Sequence, residues 1–179
     1  MGGHGMELKG QLLSAEQIAA RVRELGAEIS RDLSGKTVLV VAVLKGAFVF
    51  CADLVRSLTV PAEVDFMAVS SYGSATESSG VIRILKDLDA SVTGKHVLLV
   101  EDIVDSGLTL RYLKEYLEHQ NPASLRVCVL LDKPARRQTQ VAVDYVGFMV
   151  PDEFIVGYGI DYAEQYRHLP YIGIVGEGA

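Results

Sequence analysis

The chain has few of the residues that staple small domains or bind structural metals. It has two cysteines and four histidines among 179 residues. Cys51 and Cys128 fall in apolar surroundings, on a predicted helix and a predicted strand, so buried free thiols are favoured over a disulfide or a metal pair. No Cys/His spacing is typical of a zinc site, and no Ser/His/Asp set indicates a hydrolase.

The chain also lacks an excess of positive charge and a long hydrophobic run. Seventeen Lys and Arg against 23 Asp and Glu give a net charge of −6, so the average charge shows no basic footprint for nucleic acid. The local pair Arg136-Arg137 is a candidate basic patch. No apolar run approaches the ~20 residues of a membrane helix, and no signal segment is evident. These absences predict a cytoplasmic protein.

What is present is typical of one compact α/β domain. The chain is 49% hydrophobic and 22% charged, enough for a sizeable core. We interpret residues 1–10 as a leader that is open to disorder. Residues 11–179 are interpreted as one domain. Helices are predicted over 15–33, 47–58 and 109–119, the first with a Ser14/Gln17 capping box. Strands are predicted near 37–43, 63–70, 81–86, 96–101, 125–131, 145–149, 154–157 and 171–175. The alternation predicts a mainly parallel twisted sheet with helices on both faces, plus a small hood from the N- and C-terminal segments.

The most informative segment is Val97–Leu110, VLLVEDIVDSGLTL. An apolar run of this kind is typical of a strand buried on both faces, and ligands bind beyond the carboxyl ends of such strands. Small and hydroxyl residues then let the backbone fold around an anion at the start of a helix. Adjacent acids at the strand end could meet ribose hydroxyls or a hydrated divalent cation. We therefore predict a sugar-phosphate site at these residues: Glu101, Asp102, Asp105, Ser106, Gly107, Leu108 and Thr109.

This segment resembles the phosphoribosyl pyrophosphate motif of the type I phosphoribosyltransferases. The resemblance extends from about Leu12 to Ile174 and implies the type I fold. The third acid, Asp105, is similar to the Asp that hypoxanthine-guanine phosphoribosyltransferases keep, in their bacterial form, where it exchanges a proton with N7 of the purine. Relatives acting on adenine or orotate usually carry a non-acidic residue there. The resemblance therefore implies Asp105, Glu101 and Asp102 as catalytic residues.

Two further segments carry the resemblance. Leu44–Phe48 resembles the pyrophosphate loop, and implies that Lys45 and Gly46 bind pyrophosphate across a peptide that can be cis. The polar stretch 70–80 is longer than a hairpin needs and resembles a flexible lid. In the family the pair matching Ser71 and Tyr72 closes over the site and excludes water.

The resemblance also implies a purine subsite and a second pyrophosphate contact. Lys133 would donate to the exocyclic O6 and so select oxo over amino purines. Phe154 would stack on the purine and the Ile155 backbone would contact its edge. Asp161 would meet a magnesium shell, and Arg167 would hold pyrophosphate through its planar fork.

The implied reaction transfers the 5-phosphoribosyl group to N9 of hypoxanthine or guanine, with Mg²⁺ held at Glu101, Asp102 and Asp161. The implied assembly is a homodimer or homotetramer. Two alternatives stay open at this point. One is a nucleotide-sensing, RNA-binding regulator of the same fold, and the other is an enzyme that prefers xanthine.

Overall fold

The computed structural model describes residues 5–72 and 81–178. Within these ranges there are three α-helices: α1 (Ala15–Asp32), α2 (Phe48–Arg56) and α3 (Leu108–Glu118). The same ranges contain nine strands: β1 (Met6–Leu13), β2 (Val38–Leu44), β3 (Ala62–Tyr72), β4 (Val81–Lys86), β5 (His96–Val104), β6 (Ser124–Asp132), β7 (Tyr145–Met149), β8 (Phe154–Val156) and β9 (Ile172–Glu177). All three predicted helices and all eight predicted strands are confirmed to within a few residues.

The larger sheet has six strands in the order β4-β3-β2-β5-β6-β7. Every pairing in it is parallel except that of β4 with β3. The central strands β2, β5 and β6 are almost continuous Val and Leu, and most of their side chains are buried. Such runs occur where a parallel sheet is covered on both faces.

Helices cover both faces of this sheet, as predicted. Alternate residues of the central strands, such as Val40 and Leu98, join the helices α1 and α2 in one core cluster. Their neighbours Val41 and Leu99 join α3 in the other. The capping box of α1 is present: Ser14 N–H donates to Gln17 Oε1 (2.8 Å) and Gln17 N–H donates to Ser14 Oγ (3.1 Å).

A second, three-stranded antiparallel sheet in the order β1-β9-β8 forms the predicted hood. Its first strand, β1, begins at Met6, inside the segment 1–10 that the sequence analysis interpreted as a leader. The backbone there is held by pairing with β9, from Met6 opposite Glu177 to Leu13 opposite Ile172. Only Gly5 of the described residues precedes β1.

Two other predictions from composition can be compared with the structure. Cys51 and Cys128 are free and buried, as predicted. Burial raises the pKa of the Cys51 thiol to about 11, so it stays protonated at neutral pH. In the described ranges, no helix is both long and apolar enough to cross a membrane.

Candidate active site

The turn between β5 and α3 has the geometry of an anion-binding loop. Gly107 has φ +86°, a left-handed conformation that glycine adopts without strain. Leu108 N–H donates to Ser106 Oγ (3.3 Å), and Arg111 N–H donates to the Gly107 carbonyl (2.9 Å) as α3 starts. The first N–H groups of a helix have no intrahelical partner, and the half-buried Thr109 lies in this first turn. An anion there would meet backbone donors and the positive end of the helix dipole.

The strand β5 continues to Val104, so Glu101 and Asp102 lie within it and not at its end. Glu101 is 7% exposed. Burial raises the pKa of Glu101 well above its ordinary value, and the adjacent Asp102 carboxyl raises it further. Burial also raises the pKa of Asp102, while its hydrogen bond with Glu101 and the charge of Arg167 lower it. A cation brought near this pair would favour its ionised form.

The loop after β2 approaches the acid pair closely at Gly46. A Cβ built on Gly46 would lie 2.0 Å from Oδ2 of Asp102, so only glycine leaves room for that carboxylate. The cis peptide bond lies between Leu44 and Lys45, one bond earlier than the Lys45–Gly46 peptide that the resemblance suggested.

A cluster of charges surrounds this loop. Glu164 bridges two cations: its carboxylate accepts from Lys45 Nζ (3.3 Å) and from Arg167 Nη2 (3.1 Å). Arg167 also donates to the Gly159 carbonyl (2.8 Å) and forms an ion pair with Asp161 (3.4 Å). Lys45, Asp161 and Arg167, which the sequence analysis assigned to pyrophosphate and magnesium, therefore lie together, with a carboxylate between the two cations.

A cavity of about 300 Å³ gathers the residues predicted to contact the purine. Its lining is Asp105, Lys133, Arg136, Asp152, Glu153 and Phe154. Lys133 is 7% exposed, and its Nζ donates to the Glu153 carbonyl (2.7 Å), which leaves further N–H donors on the ammonium. Oδ1 of Asp105 is buried and accepts no hydrogen bond from the described residues, although Arg136 Nε lies 3.7 Å away. The Asp105 side chain as a whole is 45% exposed, so its carboxylate can accept from a ligand N–H in this cavity.

An aromatic side chain borders the cavity. Phe154 is 57% exposed, and its ring contacts that of Tyr162 edge-on at a centroid distance of 6.0 Å. A large apolar ring exposed beside a polar cavity is available to stack on a flat ligand. The next residue, Ile155, turns its side chain into the core, so only its backbone is offered to a ligand.

A larger cavity of about 620 Å³ lies beside α1 and α2, with Phe48, Val49 and Tyr158 among its lining residues. Its one carboxylate, Asp53, already accepts from the Tyr158 hydroxyl and from Arg56. The smaller cavity is the one lined by Asp105 and Lys133, the residues for which the resemblance implies purine contacts.

Two further predictions concern the lid and the metal ligands. Residues 73–80 of the predicted lid lie outside the described residues; Ser71 and Tyr72 end β3, and only their backbone is described. In the described part of the chain, no group of three or more His, Cys, Asp or Glu is arranged to hold a metal ion. Glu101 and Asp102 belong to β5, whereas Asp161 belongs to the loop after β8, where its oxygens contact the Glu164 N–H and Arg167.

Sequence reasoning missed several residues of this region. Glu153 contributes a backbone carbonyl, which no side-chain pattern reveals. Glu164 stands three residues before Arg167, and that spacing was the available signal for their pairing. Arg136 and Arg137 were noticed only as a basic patch; both instead contact acidic or carbonyl oxygens around Asp105.

Comparison with known proteins agrees with this geometry. A phosphoribosyl transferase domain matches residues 9–163. The hypoxanthine-guanine phosphoribosyltransferase of Mycobacterium tuberculosis is 54% identical over 173 residues, 93% of this chain and 86% of that protein. This chain belongs to the hypoxanthine-guanine phosphoribosyltransferase family. The Bacillus subtilis member is 51% identical over 164 residues, 92% of this chain and 91% of that protein. A crystal structure of the Bacillus anthracis member superposes with a TM-score of 0.89 at 49% identity, covering 96% of this chain and all of that one.

Family membership and the shared fold identify the carboxyl edge of the sheet as the candidate active site of a hypoxanthine-guanine phosphoribosyltransferase. The acid pair of β5, the turn before α3 and the cavity beside Lys133 all lie along this edge. That is where ligands bind in open parallel sheets.

Proposed function

We propose that this chain transfers the 5-phosphoribosyl group from phosphoribosyl pyrophosphate to N9 of hypoxanthine and guanine, giving the nucleoside monophosphate and pyrophosphate, in purine salvage. One observation carries the proposal. Asp105 and Lys133 line the same cavity, and Asp105 also opens the turn that leads into α3. A base and a 5-phosphate held at these two places would be joined by the ribose.

At the base, Asp105 is proposed to exchange the N7 proton and Lys133 to donate to O6. The Asp105 carboxylate lines the cavity and its side chain is 45% exposed, so it can accept that N–H. The Lys133 ammonium, already oriented by the Glu153 carbonyl, has donors left for an oxo group. Phe154 would stack on the ring, and the Ile155 backbone would contact its edge.

At the ribose phosphate, the turn residues are proposed to bind through backbone N–H groups and hydroxyls. The contributing residues are Ser106, Gly107, Leu108 and Thr109. Glu101 and Asp102 would contact the ribose hydroxyls and stabilise the positive charge that grows on the anomeric carbon as the bond to pyrophosphate breaks. Bond breaking is expected to run ahead of bond making, because the ribose ring oxygen stabilises positive charge on the anomeric carbon.

At the pyrophosphate, Lys45, Gly46 and Arg167 are proposed to neutralise the departing group. The phosphate oxygens would take the place of the Glu164 carboxylate between Lys45 and Arg167. Ser71 and Tyr72 are proposed to close over the donor and exclude water, which would otherwise attack the activated ribose.

The carboxylates fit Mg²⁺ that arrives on the donor better than a metal held by protein alone. Mg²⁺ usually keeps several waters and binds one or two carboxylates plus substrate phosphates. Glu101, Asp102 and Asp161 are oxygen donors of the right chemistry, and the absence of a three-residue cluster among the described residues agrees with shared binding. Bound Mg²⁺ would supply positive charge to the diphosphate.

The domain, the assembly and the location are also part of this proposal. We propose that residues 11–179 act as one catalytic domain in the cytoplasm. The strand β1, which begins at Met6, pairs with β9 of this domain. A homodimer or homotetramer is expected, and light scattering of the purified protein would measure its mass.

Nucleotide formation tests the proposed function. Purified protein, phosphoribosyl pyrophosphate and Mg²⁺ are mixed separately with hypoxanthine, guanine, xanthine or uracil. We expect inosine and guanosine monophosphates to form and no uridine monophosphate. Turnover of xanthine alone would favour the xanthine enzyme. Donor binding without turnover of any base, together with salt-dependent RNA binding, would favour the regulator.

A further inference from the structure

Arg137 makes two contacts that connect the ends of neighbouring strands. Its Nε–H donates to the backbone carbonyl of Asp105 (3.2 Å), and its Nη2 pairs with the Asp132 carboxylate. Both side chains are largely buried, at 21% and 18% exposure. A guanidinium makes two such contacts because its N–H donors form a rigid planar fork.

These contacts tie together the two groups assigned to the purine. Asp105 follows the end of β5, and Asp132 is the last residue of β6, directly before Lys133. The Lys133 N–H also donates to the Val104 carbonyl (2.9 Å). Arg137 thus lies across the gap between the backbone of Asp105 and the strand end that carries Lys133.

The residues after Arg137 form one wall of the turn. The N–H groups of Gln138 and Thr139 both donate to the Ser106 carbonyl, at 2.9 and 3.2 Å. A Cβ on Gly107 would lie 3.0 Å from the Thr139 carbonyl oxygen and 3.1 Å from Cδ of Arg137. The turn Asp105–Gly107 is therefore packed against this segment, and a shift of the segment would shift the turn.

Arg136 differs from Arg137 in what it contacts. Its side chain is 52% exposed and forms ion pairs with the carboxylates of Asp105 (3.7 Å) and Asp152 (3.9 Å). Arg136 therefore contacts the side chain of Asp105, whereas Arg137 contacts its backbone.

We infer that Arg137 is a positioning residue that holds the turn Asp105–Gly107 in the geometry that serves both the purine and the 5-phosphate. The inference rests on the proposed function, which assigns both ligand groups to that turn. Lysine would keep the charge but not the position, because one ammonium nitrogen cannot reproduce the fork.

The test compares binding of inosine 5′-monophosphate with binding of inosine, by calorimetry. The ratio of the two affinities measures what the 5-phosphate contributes. For Arg137→Lys we expect the ratio to fall about tenfold relative to wild type, the factor expected when a hydrogen bond to a charged group is lost. Arg126→Lys is the matched control, and its ratio should stay within about twofold of wild type, because Arg126 contacts Asp32 (3.8 Å) and the Tyr145 hydroxyl (3.2 Å) near the opposite end of β6.

Two outcomes would overturn the role of Arg137: a wild-type ratio in Arg137→Lys, or an equal loss of affinity for both ligands. If Arg137→Lys fails to fold, as judged by thermal unfolding, Asp132→Asn weakens the same bridge from the other end, and a wild-type ratio there overturns the role. A wild-type protein that binds nucleotide no better than nucleoside would instead contradict the proposed function, so the two failures are distinguishable.

Discussion

At the scale of single residues, Asp105 has the most direct link to the proposed chemistry. Its side chain is 45% exposed and lines the cavity shared with Lys133. We predict that Asp105→Asn lowers kcat by roughly 10²–10⁴, the usual contribution of a general acid or base. Calorimetry should find donor binding within about twofold of wild type. Asp89→Asn, at a side chain that is 86% exposed, is the control and should keep full turnover. Unchanged kcat in Asp105→Asn would remove it from the mechanism.

The raised pKa of Glu101 makes the free energy of unfolding depend on pH. Its folded-state pKa lies above its ordinary value of 4.5, chiefly because of burial. Below about pH 4.5 both the folded and the unfolded chain hold the proton; above it the unfolded chain releases the proton first, so stability falls as pH rises toward the folded pKa. The variant Glu101→Gln has no such proton to lose.

Urea denaturation between about pH 5 and 8 measures this effect. Glu101→Gln should be more stable than wild type, with a difference that grows as pH rises. The same change at the exposed Glu118 of α3 is the control and should leave the free energy of unfolding within about 0.5 kcal/mol of wild type. A difference for Glu101→Gln that shrinks with rising pH would show that Glu101 is ionised in the folded state.

At the scale of elements, the contact between the loop after β2 and the strand β5 makes position 46 sensitive. A Cβ there would lie 2.0 Å from Oδ2 of Asp102, so Gly46→Ala must displace the acid pair or the loop. We predict a loss in kcat/KM of about 10², the cost of misplacing catalytic groups by about 1 Å. Gly10→Ala in β1 is the matched control, because a Cβ there meets nothing within 4 Å. Equal activities in the two variants would contradict the proposed role of this contact.

The strands also show which sequence patterns were sufficient to predict secondary structure. The buried strands β2, β5 and β6 are predicted well because continuous Val and Leu runs have few alternatives. The strand β1 was missed because its side chains are mostly exposed and its register with β9 is irregular at two places, so no alternating pattern reveals it. Its partner is also far away in sequence, and single-sequence patterns do not report such pairings.

At the scale of the whole molecule, the sequence predicts which residues reach the site better than how they contact one another. The apolar strands predict the sheet edge where Glu101, Asp105 and Lys133 meet. The bridging of Lys45 and Arg167 by Glu164 depends on the path of the loop after β8, which has four non-glycine residues at positive φ. The same holds for Arg137, whose partners are Asp132 at the end of β6 and Asp105 in the turn after β5. These contacts follow from tertiary packing and leave no periodic signal.

The cavity formed by Asp105, Lys133 and Phe154 is proposed to bind a 6-oxopurine. The most direct measurement is the ratio of kcat/KM for hypoxanthine to that for adenine, in wild type and in Lys133→Met. We predict a wild-type ratio of about 10⁴ or more, since a site built to hydrogen-bond an oxo group rejects an analogue that cannot accept the bond. The ratio should fall by at least about tenfold in Lys133→Met, mainly through hypoxanthine. A wild type that uses adenine as well as hypoxanthine, or a Lys133→Met variant that keeps the wild-type ratio, would show that this cavity does not select a 6-oxopurine through Lys133.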